Sequence, residues 1–435
     1  MSRVKRLLKK AIPRAAFRAA EPQYHRLEAA AAAAYRGFPA RGLHVIGVTG
    51  TNGKTTTSSM IHRMLVDADY PTALMTTVSS GVGNDIVASQ VHMTTAGAPL
   101  LQKRIAEFRQ QGAEWLVLET TSHALAQYRV WGIPYEIGVM TNITHEHLDY
   151  HGSFERYLAA KLRLFRIAAK HGRKFGIYNA DDPSAARWRA AVPRSLGYGL
   201  HQGELVPHHV HMTAQDSAYQ VSYKGVTYDI VCNIPGEFNV YNSLAAVAVG
   251  IELGLSKQQI EQGIAALKSV DGRMNTIDEG QPYAAVIDFA HTPDSFEKLL
   301  SDLRHNTVGK LVVLFGSAGR RDESKRAIQG EIAGRYADEV VLTEEDDRDV
   351  DGETILEQIA EGARRSGKVE FETMFKLLDR SEAIQFAVSR VKTADDTVVF
   401  LGKGHEKVIE RADGEHPWDE AAEVRTAIRA SQAST

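Results

Sequence analysis

From residue 43 onward the chain alternates short apolar runs with polar, glycine-rich turns. Leu43 to Val48, Trp115 to Leu118 and Ile137 to Met140 form one series. Ala284 to Ile287, Leu311 to Phe315, Val340 to Leu342 and Val398 to Leu401 form a second. Stretches of helical periodicity separate the runs. Strands alternating with helices predict an α/β fold of mostly parallel sheets, because parallel strands need crossover helices. In such sheets ligands gather beyond the carboxyl ends of the strands. The polar clusters of this chain fall there, just after an apolar run or at the start of the next helix. A helical stretch from Lys257 to Leu267, followed by a fresh strand series, puts a boundary near Val270 to Arg273. The expected domains are residues 43–271 and 272–435.

Residues 1–42 follow another pattern. Eight Lys or Arg precede position 27 against one acid, Glu21, and Ala29 to Ala34 form an alanine run that favours helix. A basic, solvated helical extension is expected. The alternative is a surface through residues 1–26 that meets anionic lipid or another anionic partner.

Composition narrows the class. At 435 residues the chain is too long for one compact core. Its 43% hydrophobic and 24% charged residues are ordinary for a globular protein, and a net charge of -3 gives no reason to expect nucleic acid. One cysteine, Cys232, excludes an internal disulfide and suits a reducing compartment. No apolar run is long enough to span a membrane, and no continuous apolar segment precedes Pro13, so neither a spanning helix nor a signal peptide is expected. A cytoplasmic monomer is the expectation.

The first apolar run leads into Thr49-Gly50-Thr51-Asn52-Gly53-Lys54-Thr55-Thr56, and a helical pattern follows. Strand, glycine-rich turn, Lys-Thr and helix make a cradle for nucleotide phosphates. Backbone N–H groups at the helix start face oxyanions, Lys54 adds charge, and the Thr55 hydroxyl reaches a metal. The strict phosphate-loop pattern wants glycine where Val48 stands; the glycines here are 47, 50 and 53. The loop predicts ATP or GTP but not the reaction. Lys161 is the second informative residue. Phe154, Tyr157, Leu158, Leu164 and Phe165 make one helical stripe, and Lys161 falls on it. A buried lysine loses part of its charge and becomes a nucleophilic amine.

The variant Gly50-Thr51-Asn52-Gly53-Lys54-Thr55-Thr56 resembles the form in Mur ligases. Glu119-Thr120-Thr121-Ser122-His123-Ala124-Leu125 and Thr141-Asn142-Ile143-Thr144-His145-Glu146-His147-Leu148-Asp149-Tyr150-His151-Gly152 resemble further segments of that family, in its order. So do Gly236 to Asn242, Gly272-Arg273-Met274, Asp288 to Asp294 and Gly402-Lys403-Gly404-His405-Glu406. Within the family the MurE-type branch is the nearest. The resemblance implies a central P-loop ATPase domain with a mostly parallel sheet and a C-terminal Rossmann-like α/β domain. It also implies an ADP-forming ligase that phosphorylates a carboxylate and lets an amine attack the acyl phosphate, in peptidoglycan precursor synthesis.

The resemblance assigns roles as well. Gly50, Thr51, Asn52, Gly53, Lys54, Thr55, Thr56, Asn239, Asn242, Arg273, Asp288 and His291 correspond to ATP-binding positions. Thr55, Glu119, His147 and Lys161 correspond to the surroundings of two Mg2+ ions, with Lys161 carbamylated; hard oxygen ligands suit this ion. Lys54, Glu119, His147 and Lys161 are the implied catalytic set, and ATP is expected between domains that close on it. Thr94, Thr95, Thr121, Gln127 and Arg129 correspond to positions that hold a muramoyl-peptide acceptor. Arg321 corresponds to the arginine that takes the amino-acid carboxylate, and Asp346, Arg348, Gly402 and Glu406 to the side-chain pocket. The diaminopimelate-type signature Asp-Asn-Pro-Arg reads Glu345-Asp346-Asp347-Arg348 here. Arg348 favours a distal carboxylate, the extra acids a bare ammonium, so the amino acid is expected to be dibasic, with meso-diaminopimelate and lysine both open.

Another acceptor, lipid-linked or of the folylpolyglutamate type, is the competing reading, since only 42 residues precede the first strand where MurE-type ligases carry a UDP-gripping domain. A silent scaffold or a motor-type NTPase fits the intact Lys54, Glu119, His147 and Lys161 set and the C-terminal motifs less well. If the UDP grip is missing, UDP-linked and UDP-free muramoyl peptides bind with equal affinity in a calorimetric titration. A clear preference for the UDP-linked acceptor refutes that expectation.

Overall fold

The computed structural model describes residues 14–89, 94–144, 146–213 and 216–433. His145 of the motif above lies outside the described residues. Residues 1–13 and the side chains up to residue 22, which carry most of the alternative anion-facing surface 1–26, also lie outside the described residues. The chain divides into two compact units. One comprises Met1–Val210, Tyr219–Val231 and Val240–Leu267; the other comprises His211–Ala218, Cys232–Asn239 and Lys268–Thr435.

The first unit is built on eight strands: β1 (His44–Thr49), β2 (Thr72–Met75), β3 (Ser79–Val82), β4 (Asp85–Ala88), β5 (Trp115–Glu119), β6 (Tyr135–Met140), β7 (Phe175–Asn179) and β8 (Arg194–Tyr198). Their order is β4-β3-β2-β5-β1-β6-β7-β8. β2, β5, β1, β6, β7 and β8 run parallel, while β3 and β4 pair antiparallel at one edge. β1 and β5 are buried along nearly their whole length, which is why both read as continuous apolar runs rather than alternating ones. The helix Phe154–Ala168 starts at Ser153, whose hydroxyl accepts from Arg156 N. It lays Tyr157, Leu158, Leu164 and Phe165 into the core, and Phe165 meets Trp188 edge to face. A three-stranded sheet follows: β9 (Pro207–Met212), β10 (Ser217–Tyr223) and β11 (Val226–Cys232), in the order β11-β10-β9.

The expected N-terminal helix forms over Arg14–Tyr35. Its alanine run is not simply solvated. Ala29 and Ala33 are fully buried, while Leu27 and Tyr35 on the other side stay exposed. Small side chains let the helix backbone approach the domain closely, so the run serves as a packing face. Among the described residues no helix is long and apolar enough to cross a membrane.

The second unit has six strands: β12 (Asn275–Thr276), β13 (Ala284–Asp288), β14 (Leu311–Phe315), β15 (Glu339–Leu342), β16 (Met374–Lys376) and β17 (Thr397–Leu401), in the order β12-β13-β17-β14-β15-β16. All pairs are parallel except β12 with β13. A hairpin of β18 (Val408–Arg411) and β19 (Gly414–Pro417) follows β17. Arg380 is the buried anchor of this unit. Its guanidinium donates to both Glu420 carboxylate oxygens at 2.6 and 2.9 Å, and to the carbonyls of Glu344 and Leu401 at 2.9 Å. It thereby ties together the loops beyond β15 and β17. Both charged side chains are completely buried, so neither tolerates loss of its partner. Glu420→Gln is expected to lower stability by about 3–5 kcal/mol, read as a shift of the urea midpoint of this unit. An unmoved midpoint refutes the anchoring role.

Candidate functional site

Other segments hold the turn after β1 in place, which leaves the first N–H groups of the helix that follows it to face an anion. Thr51 N donates to Asn142 O at 2.8 Å and Asn52 N to Asn142 Oδ1 at 2.9 Å. Asn52 O accepts from Thr141 Oγ1 at 2.6 Å and from Asn142 Nδ2 at 3.1 Å. Thr51 Oγ1 meets the Tyr157 hydroxyl at 3.0 Å and accepts from Thr144 N at 2.9 Å. Two glycines are required here. A Cβ on Gly50 would stand 1.8 Å from Thr141 Oγ1, and one on Gly53, at φ +82°, would stand 2.3 Å from Asn242 Oδ1. Lys54 opens the helix Lys54–Asp67, and its ammonium donates to Thr51 O at 2.7 Å. Helix N-terminus, lysine and close-packed glycines form a concave cationic cradle.

Glu119 ends β5 beside that cradle. Its Oε2 accepts from Thr55 Oγ1 at 3.0 Å, Thr77 N at 3.0 Å and Thr77 Oγ1 at 3.1 Å. Lys161 is buried on its apolar stripe, 4.8 Å above the Tyr157 ring, and donates to Gly50 O. Burial, then the nearby Lys54 charge, hold its ammonium well below the usual lysine range; Glu146 and Glu119 oppose this. His147 sits at a left-handed φ of +57°, with its ring against His123 and Tyr157. Lys54, Thr55, Glu119 and Lys161 are thus brought together, with His147 joined to them through Tyr157. Among the described residues no three His, Cys, Asp or Glu groups are arranged to hold a metal by themselves. Magnesium is usually held by one or two protein oxygens plus substrate phosphates, and Thr55 with Glu119 fits that mode.

Asn242 supports the same loop, accepting from Thr57 Oγ1 at 3.1 Å. Thr95 Oγ1 donates to Glu119 O and accepts from Thr121 N, both at 3.0 Å. Arg129 donates to Thr95 O at 3.1 Å, and the buried Gln127 Oε1 has no hydrogen-bond partner. Thr94 adjoins this group in sequence and is half-buried. Thr77, Asn142, Tyr157 and Glu146 belong to the site but were not singled out as site residues from sequence. Tyr157 carried a usable signal, since it lies one helical turn before Lys161 on the same stripe. Thr77 carried none beyond following a strand.

In the second unit, Asn239 donates to Pro235 O at 2.7 Å and closes the turn before its helix. Asp288 is turned toward its own backbone. It accepts from Met274 N at 2.8 Å and from Ala290 N at 2.7 Å, and burial raises its carboxyl pKa against the pull of Arg273. The Arg273 guanidinium lies 4.9 Å from the Phe289 ring, while His291 Nδ1 lies 2.8 Å from Phe289 O. His405 is held neutral, its pKa lowered to about 3 by burial and then by Arg273.

A second cluster lies beyond β15 and β17. Lys403, fully buried, donates to Asp346 Oδ1 at 2.8 Å and to Glu406 Oε2 at 2.7 Å. Burial opposes its charge, but Glu406 and Asp346 outweigh burial and raise its pKa. Arg348 contacts Glu410 and Gly319 O, both at 2.5 Å. Gly402, at φ +98°, leaves room for Glu345, whose Oε2 would stand 2.7 Å from an added Cβ. Arg321 is exposed on the loop after β14. Asp347 is pushed up to about 6 by burial and then by Glu344, Glu345 and Asp346.

Two family models match the chain: the Mur ligase middle domain over residues 48–250 and the Mur ligase glutamate ligase domain over 272–404. A UDP-N-acetylmuramyl-tripeptide synthetase of Roseiflexus sp. is 38% identical over 411 residues, covering 91% of this chain and 81% of that protein. The protein of the same name from Deinococcus radiodurans is 40% identical over 410 residues, covering 92% and 80%. The structure of a UDP-N-acetylmuramoyl-L-alanyl-D-glutamate--2,6-diaminopimelate ligase superposes with a TM-score of 0.65 at 32% identity, over 90% of this chain and 79% of that one. The cradle itself is open to test. Gly53→Ala forces Asn242 aside and is expected to weaken binding of a fluorescent ATP analogue by about tenfold or more. Undiminished affinity rules the cradle out.

Proposed function

Because the chain belongs to the Mur ligase family, we propose that it is an ATP-dependent ligase that adds a dibasic amino acid to a muramoyl-L-alanyl-D-glutamate-type acceptor in peptidoglycan precursor synthesis. The observation that carries the reading is the meeting of Lys54, Thr55, Glu119 and Lys161 at one end of the first sheet. A simple NTPase has no need of a buried amine beneath its phosphate loop.

The reaction has two displacements. An acceptor carboxylate oxygen attacks the γ-phosphorus of ATP, the bond to the bridging oxygen breaks, and ADP leaves. The amine of the incoming amino acid then attacks the acyl-phosphate carbonyl carbon. The carbon–oxygen bond breaks, phosphate leaves with its electron pair, and the amine proton is lost. The protein's contribution is alignment and charge neutralisation. Lys54 and the amides of the loop offset the phosphate charge. Thr55 and Glu119 are oxygen donors suited to magnesium, which stabilises charge on the transferring phosphoryl group. His147 would hold a second cation. Thr95, Thr121, Gln127 and Arg129 bind the acceptor, with the unpartnered Gln127 Oε1 ready to accept from it.

Lys161 is assigned as a carbamate. Burial and the Lys54 charge disfavour its ammonium, and the lone pair of the neutral amine adds to carbon dioxide with loss of one proton. The product is an anion that relieves the repulsion from Lys54. Acid restores the ammonium and releases carbon dioxide, so activity falls as the pH is lowered. Lys54→Ala and Lys161→Ala are each expected to abolish ligation in a phosphate-release assay, and bicarbonate to restore part of it in Lys161→Ala. A 13C signal from labelled carbon dioxide at Lys161 supports the carbamate. Undiminished turnover of Lys161→Ala removes it.

A further inference from the structure

We propose that Glu410 sets the amino-acid specificity of this ligase by occupying Arg348, so that the amino acid it adds ends in an ammonium group with no second carboxylate. The inference rests on the ligase reading above and concerns the pocket beyond β15 and β17.

Arg348 suits a distal carboxylate, since a guanidinium offers a planar fork to it. Part of that fork is already taken. Nε donates to Glu410 Oε2 at 2.5 Å, Nη1 donates to Gly319 O at 2.5 Å, and Nη2 lies 3.9 Å from Asp346 Oδ2. The backbone agrees with the side chains. Arg348 N donates to Glu410 O at 2.9 Å, and Glu410 N donates to Asp346 Oδ1 at 2.9 Å. Residues 346–348 are therefore zipped along β18, with Arg348 held at a left-handed φ of +58°. A substrate carboxylate would find only the Nη2 side of Arg348 open, or would have to displace Glu410 from Nε, and in either case would sit beside the charges of Glu410 and Asp346.

The remaining groups favour a cation. Glu344 is paired with Arg411 at 2.6 Å, while Asp346 and Glu406 share the ammonium of Lys403. Glu345 and Asp347 add two further carboxylates, against Lys325 and the exposed Arg321. Asp347 Oδ1 is buried without a hydrogen-bond partner, and the neighbouring acids together with burial raise its pKa. A terminal ammonium would give that oxygen a donor and relieve the repulsion among these acids. A second carboxylate would do neither. Specificity of this kind combines an attraction for one substrate with a repulsion of its competitor.

The test is phosphate release by the full chain with ATP, magnesium and a muramoyl-dipeptide acceptor, comparing lysine, ornithine and meso-diaminopimelate. The better of lysine and ornithine is expected to exceed meso-diaminopimelate in kcat/KM by about tenfold or more. Glu410→Gln frees Arg348 and is expected to narrow that ratio by about tenfold, mainly by admitting meso-diaminopimelate. A role confined to folding would lower all three rates together and leave the ratio unmoved. A wild-type preference for meso-diaminopimelate, or an unchanged ratio in a folded Glu410→Gln protein, overturns the inference. If that variant does not fold, the wild-type ratio decides alone. Release that no amino acid stimulates overturns instead the ligase reading beneath it.

Discussion

A loop that binds phosphates with its own backbone cannot also hold itself in place. Every N–H aimed at the ligand is one that secondary structure cannot use. In this chain the loop Gly50 to Asn52 is fixed by groups from two other segments: Thr141, Asn142 and Thr144 after β6, and Tyr157 and Lys161 on the helix Phe154–Ala168. The same groups carry chemistry. Lys161 reaches Gly50 O only because it is buried, and burial is what weakens its charge. Support of the loop and preparation of the amine are two consequences of one helix packing against the sheet.

Glu119 shows the same economy. It ends a buried strand and gathers Thr55 from the loop's helix and Thr77 from beyond β2. Its carbonyl accepts from Thr95, which in turn accepts from Thr121. The phosphate side and the proposed acceptor side therefore meet at a single residue. A change at either side is expected to be felt by the other through hydrogen bonds rather than through charge alone.

In the second unit buried charge takes the place of a phosphate cradle. Arg380 and Lys403 are both fully buried, yet they serve different ends. Arg380 is saturated by Glu420 and two carbonyls, so it fixes loops and leaves nothing for a ligand. Lys403 shares its ammonium between Asp346 and Glu406, two of the residues proposed to meet the amino acid. Structural ion pairs thus stand next to a pocket whose polarity they help to set.

The periodicity of the chain was sufficient for β1, β5 and β6 of the first sheet and β13, β14, β15 and β17 of the second, and the remaining strands of both sheets were not named from it. Parallel strands buried on both faces are written as unbroken apolar runs, a signal carried by consecutive residues. The glycine–lysine loop and the Lys161 stripe were equally legible, because each rests on spacing within one segment. The packing of Ala29 and Ala33 was not, since an alanine run promises a helix and says nothing of what it touches. Thr77 was not singled out for the same reason: it reaches Glu119 from beyond β2, and short polar residues after a strand are common. The sequence alone determined which residue types were available beside the phosphate loop and the amino-acid pocket. Only the tertiary structure decided that Arg348 meets Glu410, 62 residues away, because ion pairing depends on distance in space, and distance along the chain does not record it.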